Sequence, residues 1–350
     1  MLPEPQSTPP KPPLDLIKWG FMSFQVLAAC CESELFPFIA QAAEIGRTAD
    51  EIAGFLKFPK HSVRVLLLAC CAYGLLRKDS QTGNYFNLLK MDEEYEILRQ
   101  QVLFADKVVQ PAFEFLTASL QSGTNKGVEV LPGPGATLYE RLAHTTDMAA
   151  CFHTRMARTS EIRRVPFLLK AIGARGQRIT HLVDIGGGEG TTARALSQQY
   201  PQMHVTIFDL PSVCQATAEH IREWGKSDRI AVYPGDMFTD PLPPEIDAVA
   251  FVSLLTIFST EKILALLRKA YQALPKGGCV IIHTLISNEQ ETGPLNSANM
   301  SLYFTVLASG AGMAYPLSDY ENWLRATGFA SVESVKHPQN PGVAVIMATK

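Results

Sequence analysis

Val183-Asp-Ile-Gly-Gly-Gly-Glu-Gly190 decides how the second half of this chain folds. An apolar run enters a glycine turn, and the stretch behind it opens a helix. Glycines at 186, 188 and 190 let the main chain approach a ligand closely, and the helix start beyond them offers free N–H groups. Working outward, His181-Leu-Val-Asp-Ile185, His204-Val-Thr-Ile-Phe208, Ala248-Val-Ala-Phe-Val252 and Cys279-Val-Ile-Ile-His283 are short apolar strands separated by amphipathic helices. Such an alternation predicts an α/β fold: a doubly wound parallel sheet covered on both faces. The end breaks the pattern. Residues 331–335 and 343–348, joined by the turn His337-Pro-Gln-Asn-Pro-Gly342, read as an antiparallel hairpin.

The glycine turn alone also satisfies a loose dinucleotide pattern, Gly188-x-Gly190-x-x-Ala193, with Asp209 about twenty residues on. Three further features discriminate. Phe208-Asp-Leu-Pro211 puts a carboxylate at a strand end, where ribose hydroxyls lie. Gly235-Asp-Met-Phe238 follows the third strand position and offers an acidic acceptor beside soft apolar walls for a base. Leu274-Pro-Lys-Gly-Gly278 precedes the fifth strand. Together with the terminal hairpin, these resemble the class I S-adenosylmethionine (SAM) methyltransferases, with their Rossmann-like sheet, and not a dehydrogenase.

Leu182-Val-Asp-Ile-Gly-Gly-Gly-Glu-Gly190, Tyr200-Pro201, Phe208-Asp-Leu-Pro211 and Gly235-Asp-Met-Phe238 narrow the resemblance to the two-domain small-molecule O-methyltransferases of the caffeate, hydroxyindole and phenazine type. The resemblance covers residues 14–350. It implies SAM as cofactor, held by Asp184, Gly186, Gly188, Gly190, Asp209, Leu210, Asp236, Met237, Ser160 and Ser253. Phe152, Met156 and Ser160 fall on one helical face and match positions that pack acceptor and sulfonium and bond the SAM carboxylate. An acceptor pocket is implied at Phe113, Phe152, Met156, Asn299, Tyr303 and Met313. No metal is expected, because no cluster of His and carboxylates has ligand spacing.

One departure bears on mechanism. The family segment Leu-His-Asp-Trp, whose His is the general base, is here Leu255-Thr-Ile-Phe258. Thr256 can orient a substrate but cannot accept a proton near neutral pH. The carboxylate that steadies that base is replaced by Thr284. His153, beside Phe152, is the alternative base; His283 borders the empty slot but points to the opposite face of its strand. His144, Tyr139 and Tyr315 are further pocket candidates.

The first hundred residues read differently. Thr48-Ala-Asp-Glu51 is a capping box that opens a helix through Phe55, and a second helix runs over 61–75. Leu76-Arg-Lys78 and Tyr85-Phe-Asn-Leu88 around the turn 79–83 form a two-stranded wing. The pattern is a winged helix. Its would-be recognition helix, Val65-Leu-Leu-Leu-Ala-Cys-Cys-Ala-Tyr-Gly-Leu-Leu76, has almost no polar face, and a helix apolar nearly all round is buried. Packing or dimerisation is therefore expected instead of DNA binding, with Trp19, Phe21, Phe24, Leu27 and Leu35 supplying surplus apolar surface for a homodimer.

Composition agrees. A chain of 350 residues with 47% hydrophobic and 19% charged residues, at a net charge of −3, has material for about two domains. It is no polycation, so nucleic acid is not expected as partner. Seven cysteines without C-x-x-C spacing suit a reducing compartment. The proline-rich residues 1–13 lack the apolar core of a signal peptide, no run is long enough to span a membrane, and a cytoplasmic location is expected. The expected layout is a disordered arm at 1–13, a winged-helix dimerisation domain at 14–103, a helical linker contributing to the pocket at 104–165 and a SAM domain at 166–350. The expected function is methyl transfer to a small, largely apolar acceptor that needs no His base: an ionised oxygen, an activated carbon or a thioether. The alternatives are a SAM-binding dehydration, cyclisation or pericyclic enzyme, and a winged-helix regulator.

Overall fold

The computed structural model describes residues 14–142, 144, 145, 148, 152, 156–225 and 228–350; the proline-rich arm at 1–13 lies outside the described residues. Two compact units divide between Lys107 and Val108.

In the first unit, α1 (Leu14–Glu32), α2 (Leu35–Ala40), α3 (Ala49–Leu56) and α4 (Lys60–Ala72) precede the wing strands β1 (Leu76–Lys78) and β2 (Tyr85–Asn87), and α5 (Glu93–Phe104) follows. The capping box forms as its sequence requires: Thr48 Oγ1 accepts from the Glu51 N–H at 3.2 Å, and Glu51 Oε2 accepts from the Thr48 N–H at 2.8 Å. Helix α4 ends earlier than the apolar run suggests, because Gly74 turns left-handed (φ +71°) before β1 begins. Cys30, Leu35, Phe36, Ile52, Leu67, Cys70 and Leu76 make the unit's core.

Two expectations need correcting here. Helix α4 is not buried all round: Leu67 is sealed, but Val65 is 55% exposed and Leu68 71%. On α1, Ile17, Trp19, Phe21 and Met22 are exposed, whereas Leu35 lies wholly inside the unit and adds nothing to its surface. The module is too small to wrap both faces of α4, so its second apolar face is left uncovered within the chain.

The second unit begins with the short helices α6 (Gln110–Phe113), α7 (Leu116–Ser122) and α8 (Leu138–Leu142). A π turn at Ser160–Arg164 leads into α9 (Val165–Ile172). Then come β3 (His181–Ile185), α10 (Thr191–Gln199), β4 (His204–Asp209), α11 (Pro211–Glu223), β5 (Ile230–Pro234), β6 (Ala248–Val252), α12 (Thr260–Ala273), β7 (Cys279–Leu285), α13 (Leu295–Tyr303), α14 (Leu317–Thr327), β8 (Ser331–His337) and β9 (Asn340–Thr349). The sheet order is β5-β4-β3-β6-β7-β9-β8. Strands β3 to β7 run parallel, and β9 is antiparallel to both neighbours. The hairpin is longer than its turn residues imply: His337 pairs with Asn340, so the connection shrinks to Pro338-Gln339.

Every residue of β6 is buried. Because alternate strand residues face opposite ways, both sides of the sheet are covered there. The chain winds from β3 outward through β4 and β5, then crosses back to β6 on the other side of β3. In open α/β sheets that reversal leaves a crevice at the carboxyl ends of the two central strands, where ligands bind. Among the described residues, no helix is long and apolar enough to cross a membrane, and no group of His, Cys, Asp or Glu could hold a metal ion.

Candidate active site

The carboxyl end of β3 runs into Gly186, Gly188 and Gly190, with φ of +69°, +55° and +80°. The left-handed backbone at Gly186 strains any residue with a Cβ, and a side chain there would also push aside the Leu254 methyl, 2.8 Å from the Cβ position. Gly190 is the residue before α10, whose first N–H groups face the crevice end of the helix. Gly188 is tied from both sides. Its N–H donates to Asp209 Oδ2 at 2.9 Å, and its carbonyl accepts from Thr217 Oγ1 on α11 at 2.8 Å.

Asp209 closes β4 with its side chain half-buried, its Oδ1 accepting from the Leu210 N–H at 2.7 Å. Leu210 itself is exposed. Past β5, the Gly235 N–H donates to the Asp209 carbonyl at 2.9 Å, which brings the Asp236 turn beside Asp209. There Asp236 Oδ1 accepts from the Phe238 N–H at 2.8 Å, and Lys269 on α12 clamps the turn by donating to the Met237 carbonyl at 2.7 Å and to the Asp240 carbonyl. Asp209, Asp236 and Met237 are thus brought to one edge of the sheet.

Asp184, one residue before the end of β3, is the electrostatic anomaly. It is 1% exposed, and neither carboxylate oxygen has a hydrogen-bond partner. Burial, reinforced by the negative charge of Asp209 and partly offset by Arg164, pushes its carboxyl up to about 7. Ser160, at the start of the π turn, is also buried with its hydroxyl unbonded. Buried polar groups are rarely left so, and a buried acceptor with a hydroxyl beside a glycine cradle and a helix N-terminus suits a ligand with both cationic and anionic ends. The methionine portion of SAM, with its sulfonium, ammonium and carboxylate, has those ends.

The turn expected to carry a base is tightly braced. Thr256 lies on a 3₁₀ turn, Leu255–Ile257, and is 2% exposed. The segment 309–315 braces that turn. Ser309 Oγ donates to the Ile257 carbonyl, the Tyr315 hydroxyl donates to the Phe258 carbonyl at 3.0 Å, and a side chain on Gly312 would collide with the Thr256 carbonyl. Thr284 is sealed in the core, its Oγ1 donating to the hydroxyl of fully buried Tyr320 at 3.1 Å. His283 is buried as the strand alternation predicts. Its Nδ1 lies 3.1 Å from Ser253 Oγ and its ring packs edge-on against Phe167. Burial first, then the charges of Arg164 and His337, push its imidazole down to about 3, so it is neutral and no base for a substrate.

Of the acceptor residues, Tyr303 and Phe152 are buried, Phe152 meeting Tyr139 edge-on at 6.0 Å, and Phe113, Met156 and Met313 are half-buried. Asn299 is exposed on α13. His153 lies outside the described residues. Tyr315 is spent on the Phe258 carbonyl, and His144 packs against Gly133. Lys269, Ser309, Gly312, Thr217 and Arg164 were not legible as site residues. The only signal for any of them was the glycine-rich stretch 310–315.

The Asp184 carboxyl gives a pH signature. Its folded value, near 7, lies above the ordinary 3.8, so the folded state holds the proton more tightly than the unfolded chain. Its contribution to stability is then fully present below about pH 4 and is lost as pH rises to about 7. Without cofactor, the wild-type melting temperature should fall over that interval relative to Asp184→Asn, whose side chain carries no charge. Parallel curves for the two proteins in scanning calorimetry would remove the buried carboxylate from the account.

Comparison with known proteins matches the O-methyltransferase domain over residues 113–330 and the O-methyltransferase dimerisation domain over residues 15–88. The L-tyrosine C(3)-methyltransferase of Streptomyces lavendulae is 35% identical, covering 99% of this chain and 96% of its own. The 3-hydroxy-5-methyl-1-naphthoate 3-O-methyltransferase of Streptomyces sahachiroi is 30% identical, covering 94% of this chain and 92% of its own. The crystal structure of the SAM-dependent methyltransferase SibL in its apo form superposes with a TM-score of 0.81 at 31% identity, over 96% of this chain and 98% of that one. Neither a rearranging SAM enzyme nor a winged-helix regulator finds support among these relatives. The chain belongs to the O-methyltransferase family and is a SAM-dependent methyltransferase of small molecules, its N-terminal unit carrying the family's dimerisation domain.

Proposed function

We propose that this enzyme methylates an electron-rich aromatic carbon, one activated by a neighbouring phenolic oxygen. The observation that carries the reading is the double loss at the base site. Thr256 offers a hydroxyl that cannot take up a proton, and the Thr284 hydroxyl is committed to Tyr320. A hydroxyl acceptor must shed its proton as the O–C bond forms. An activated ring carbon forms its bond to the methyl first and releases its own proton afterwards, to water or to a weak acceptor. Methyl enters and a proton leaves, so the product gains one methylene. A relative 35% identical whose name specifies transfer to C(3) of tyrosine, a carbon next to the phenol, supports the same chemistry.

Bound SAM supplies the electrophilic methyl. The chain's own part is to bind and orient. Asp209 and Leu210 take the ribose side, Asp236 and Met237 the base. Gly186, Gly188, Gly190, Asp184, Ser160 and Ser253 take the methionine portion. Phe113, Phe152, Met156, Tyr303 and Met313 give the acceptor ring an apolar bed, and Thr256 orients its hydroxyl. Alignment of ring carbon and methyl then provides most of the acceleration, as positioning does wherever the nucleophile needs no activation.

The test uses SAM labelled with ¹³C in the methyl group and a panel of small phenols that includes L-tyrosine. The expected product carries the label as an aryl methyl in carbon NMR. A methoxy signal would refute the reading, as would an isomeric product. Thr256→Ala should lose no more than a hydrogen bond, about 0.5–1.5 kcal/mol or at most about tenfold in rate, and a loss of several hundredfold would restore a base at that position.

The protein works as a homodimer in this reading, joined through its first unit. Ile17, Trp19 and Phe21 on α1 and Val65 and Leu68 on α4 expose apolar surface within a matched dimerisation domain. Light scattering should give twice the 38.4 kDa chain mass, and a charged residue in place of Leu68 should lower it. A wild-type monomer at micromolar concentration would contradict the claim.

A further inference from the structure

We propose that His283 is a positioning residue for the cofactor site, acting through the hydroxyl of Ser253. The inference rests on the reading that Ser253 contacts SAM. Ser253 directly follows β6, at the carboxyl edge of the sheet, where the crevice opens. Its backbone is left-handed, φ +55°, an unfavourable state for a residue with a Cβ. Something must hold it there. His283 does so twice. Its carbonyl accepts the Ser253 N–H at 2.7 Å, and its Nδ1 lies 3.1 Å from Ser253 Oγ. The register explains the double grip: β6 and β7 run parallel with Val252 opposite His283, so the residue after Val252 bends over the imidazole.

What the ring can do follows from its surroundings. It is 6% exposed and packs against Phe167 of α9, with the guanidinium of Arg164 and the ring of His337 as the charged or titratable groups acting on it. Burial and these two neighbours disfavour the imidazolium and outweigh the opposing pull of a hydrogen bond to its own backbone. A neutral ring whose proton sits on Nε2 accepts the Ser253 hydroxyl proton at Nδ1, which leaves the Ser253 lone pairs to face outward. Ser253 then presents an acceptor to the cationic methionine portion of SAM, and its direction is fixed before the cofactor arrives. A positively charged ring would reverse this hydrogen bond and aim the hydroxyl proton at a cation.

Calorimetric titration of the full-length protein with SAM separates the possibilities. Ser253→Ala and His283→Leu should each weaken binding, by about three- to tenfold. The double variant should be no weaker than the worse single one, because both remove the same contact. His283→Asn should recover to within about twofold of wild type, since its amide can reach Ser253 where imidazole Nδ1 does. The loss in His283→Leu should be equal at about pH 6 and about pH 8.5, because the ring stays neutral across that range. Wild-type affinity in His283→Leu, with Ser253→Ala weakened, would overturn the positioning role. Wild-type affinity in Ser253→Ala would overturn it from below, by removing Ser253 from the cofactor site. Equal losses in His283→Leu and His283→Asn, tracking their melting temperatures, would reduce His283 to packing and overturn it too.

Discussion

A carboxylate with no hydrogen-bond partner lies near the end of the central strand, and the rest of the second unit is arranged around it. Asp184 on β3 is enclosed on all sides, with Asp209 adding a second negative charge and Arg164 the nearby counter-charge. Burying an ionised group without hydrogen bonds costs several kcal/mol, enough to consume much of a domain's stability. The cost is tolerable only because the group can keep its proton in the absence of a cationic ligand. The glycine turn depends on the same residue. A side chain at Gly187 would meet Asp184 Oδ2 at 2.9 Å, so the loop that cradles a ligand is glycine-rich partly because this carboxylate sits beneath it. Stability is given up at one point of the sheet in favour of a carboxyl that can release its proton when a cationic ligand arrives.

The sheet was legible in the sequence for a simple reason. Strands buried on both faces read as unbroken apolar runs, and β3 and β6 carry the bounds their residues suggest, while β4 and β7 run one and two residues further. Strand β5 is an edge strand, partly exposed and closed by Pro234, and its run is correspondingly faint, although the Gly235-Asp turn marks its end. The cofactor loops were legible because each is a local signature at a strand terminus. What was not legible is whatever depends on register or on distant contacts. Nothing in Lys269 announces that it ties down the Met237 turn, and nothing in Ser309 or Gly312 that they brace Thr256. The pairing of Val252 with His283, which hands the imidazole to Ser253, is a fact of strand alignment. The exposed face of α4 failed for the opposite reason. An apolar helix predicts that something covers it, and the sequence does not say whether the cover comes from the same chain.

The two threonines, Thr256 and Thr284, are each built firmly into the structure. Thr284 is part of the core: fully buried and bonded to Tyr320, with Tyr315 and Trp323 packed edge-on around the Tyr320 ring. A carboxylate restored at that position would be buried beside a phenol with no cation shown to meet it. Thr256 is enclosed differently, on a turn pinned by Ser309 and Tyr315 and pressed by Gly312. Imidazole is larger than the threonine side chain, and overpacking a closed site typically costs about 1–3 kcal/mol. A histidine placed at position 256 alone would find Thr284, and no carboxylate, on β7 to orient it. Thr284 and its partner Tyr320 lie on β7 and α14, and the Thr256 turn is held by the segment before α14, so the two threonines are fixed by different contacts.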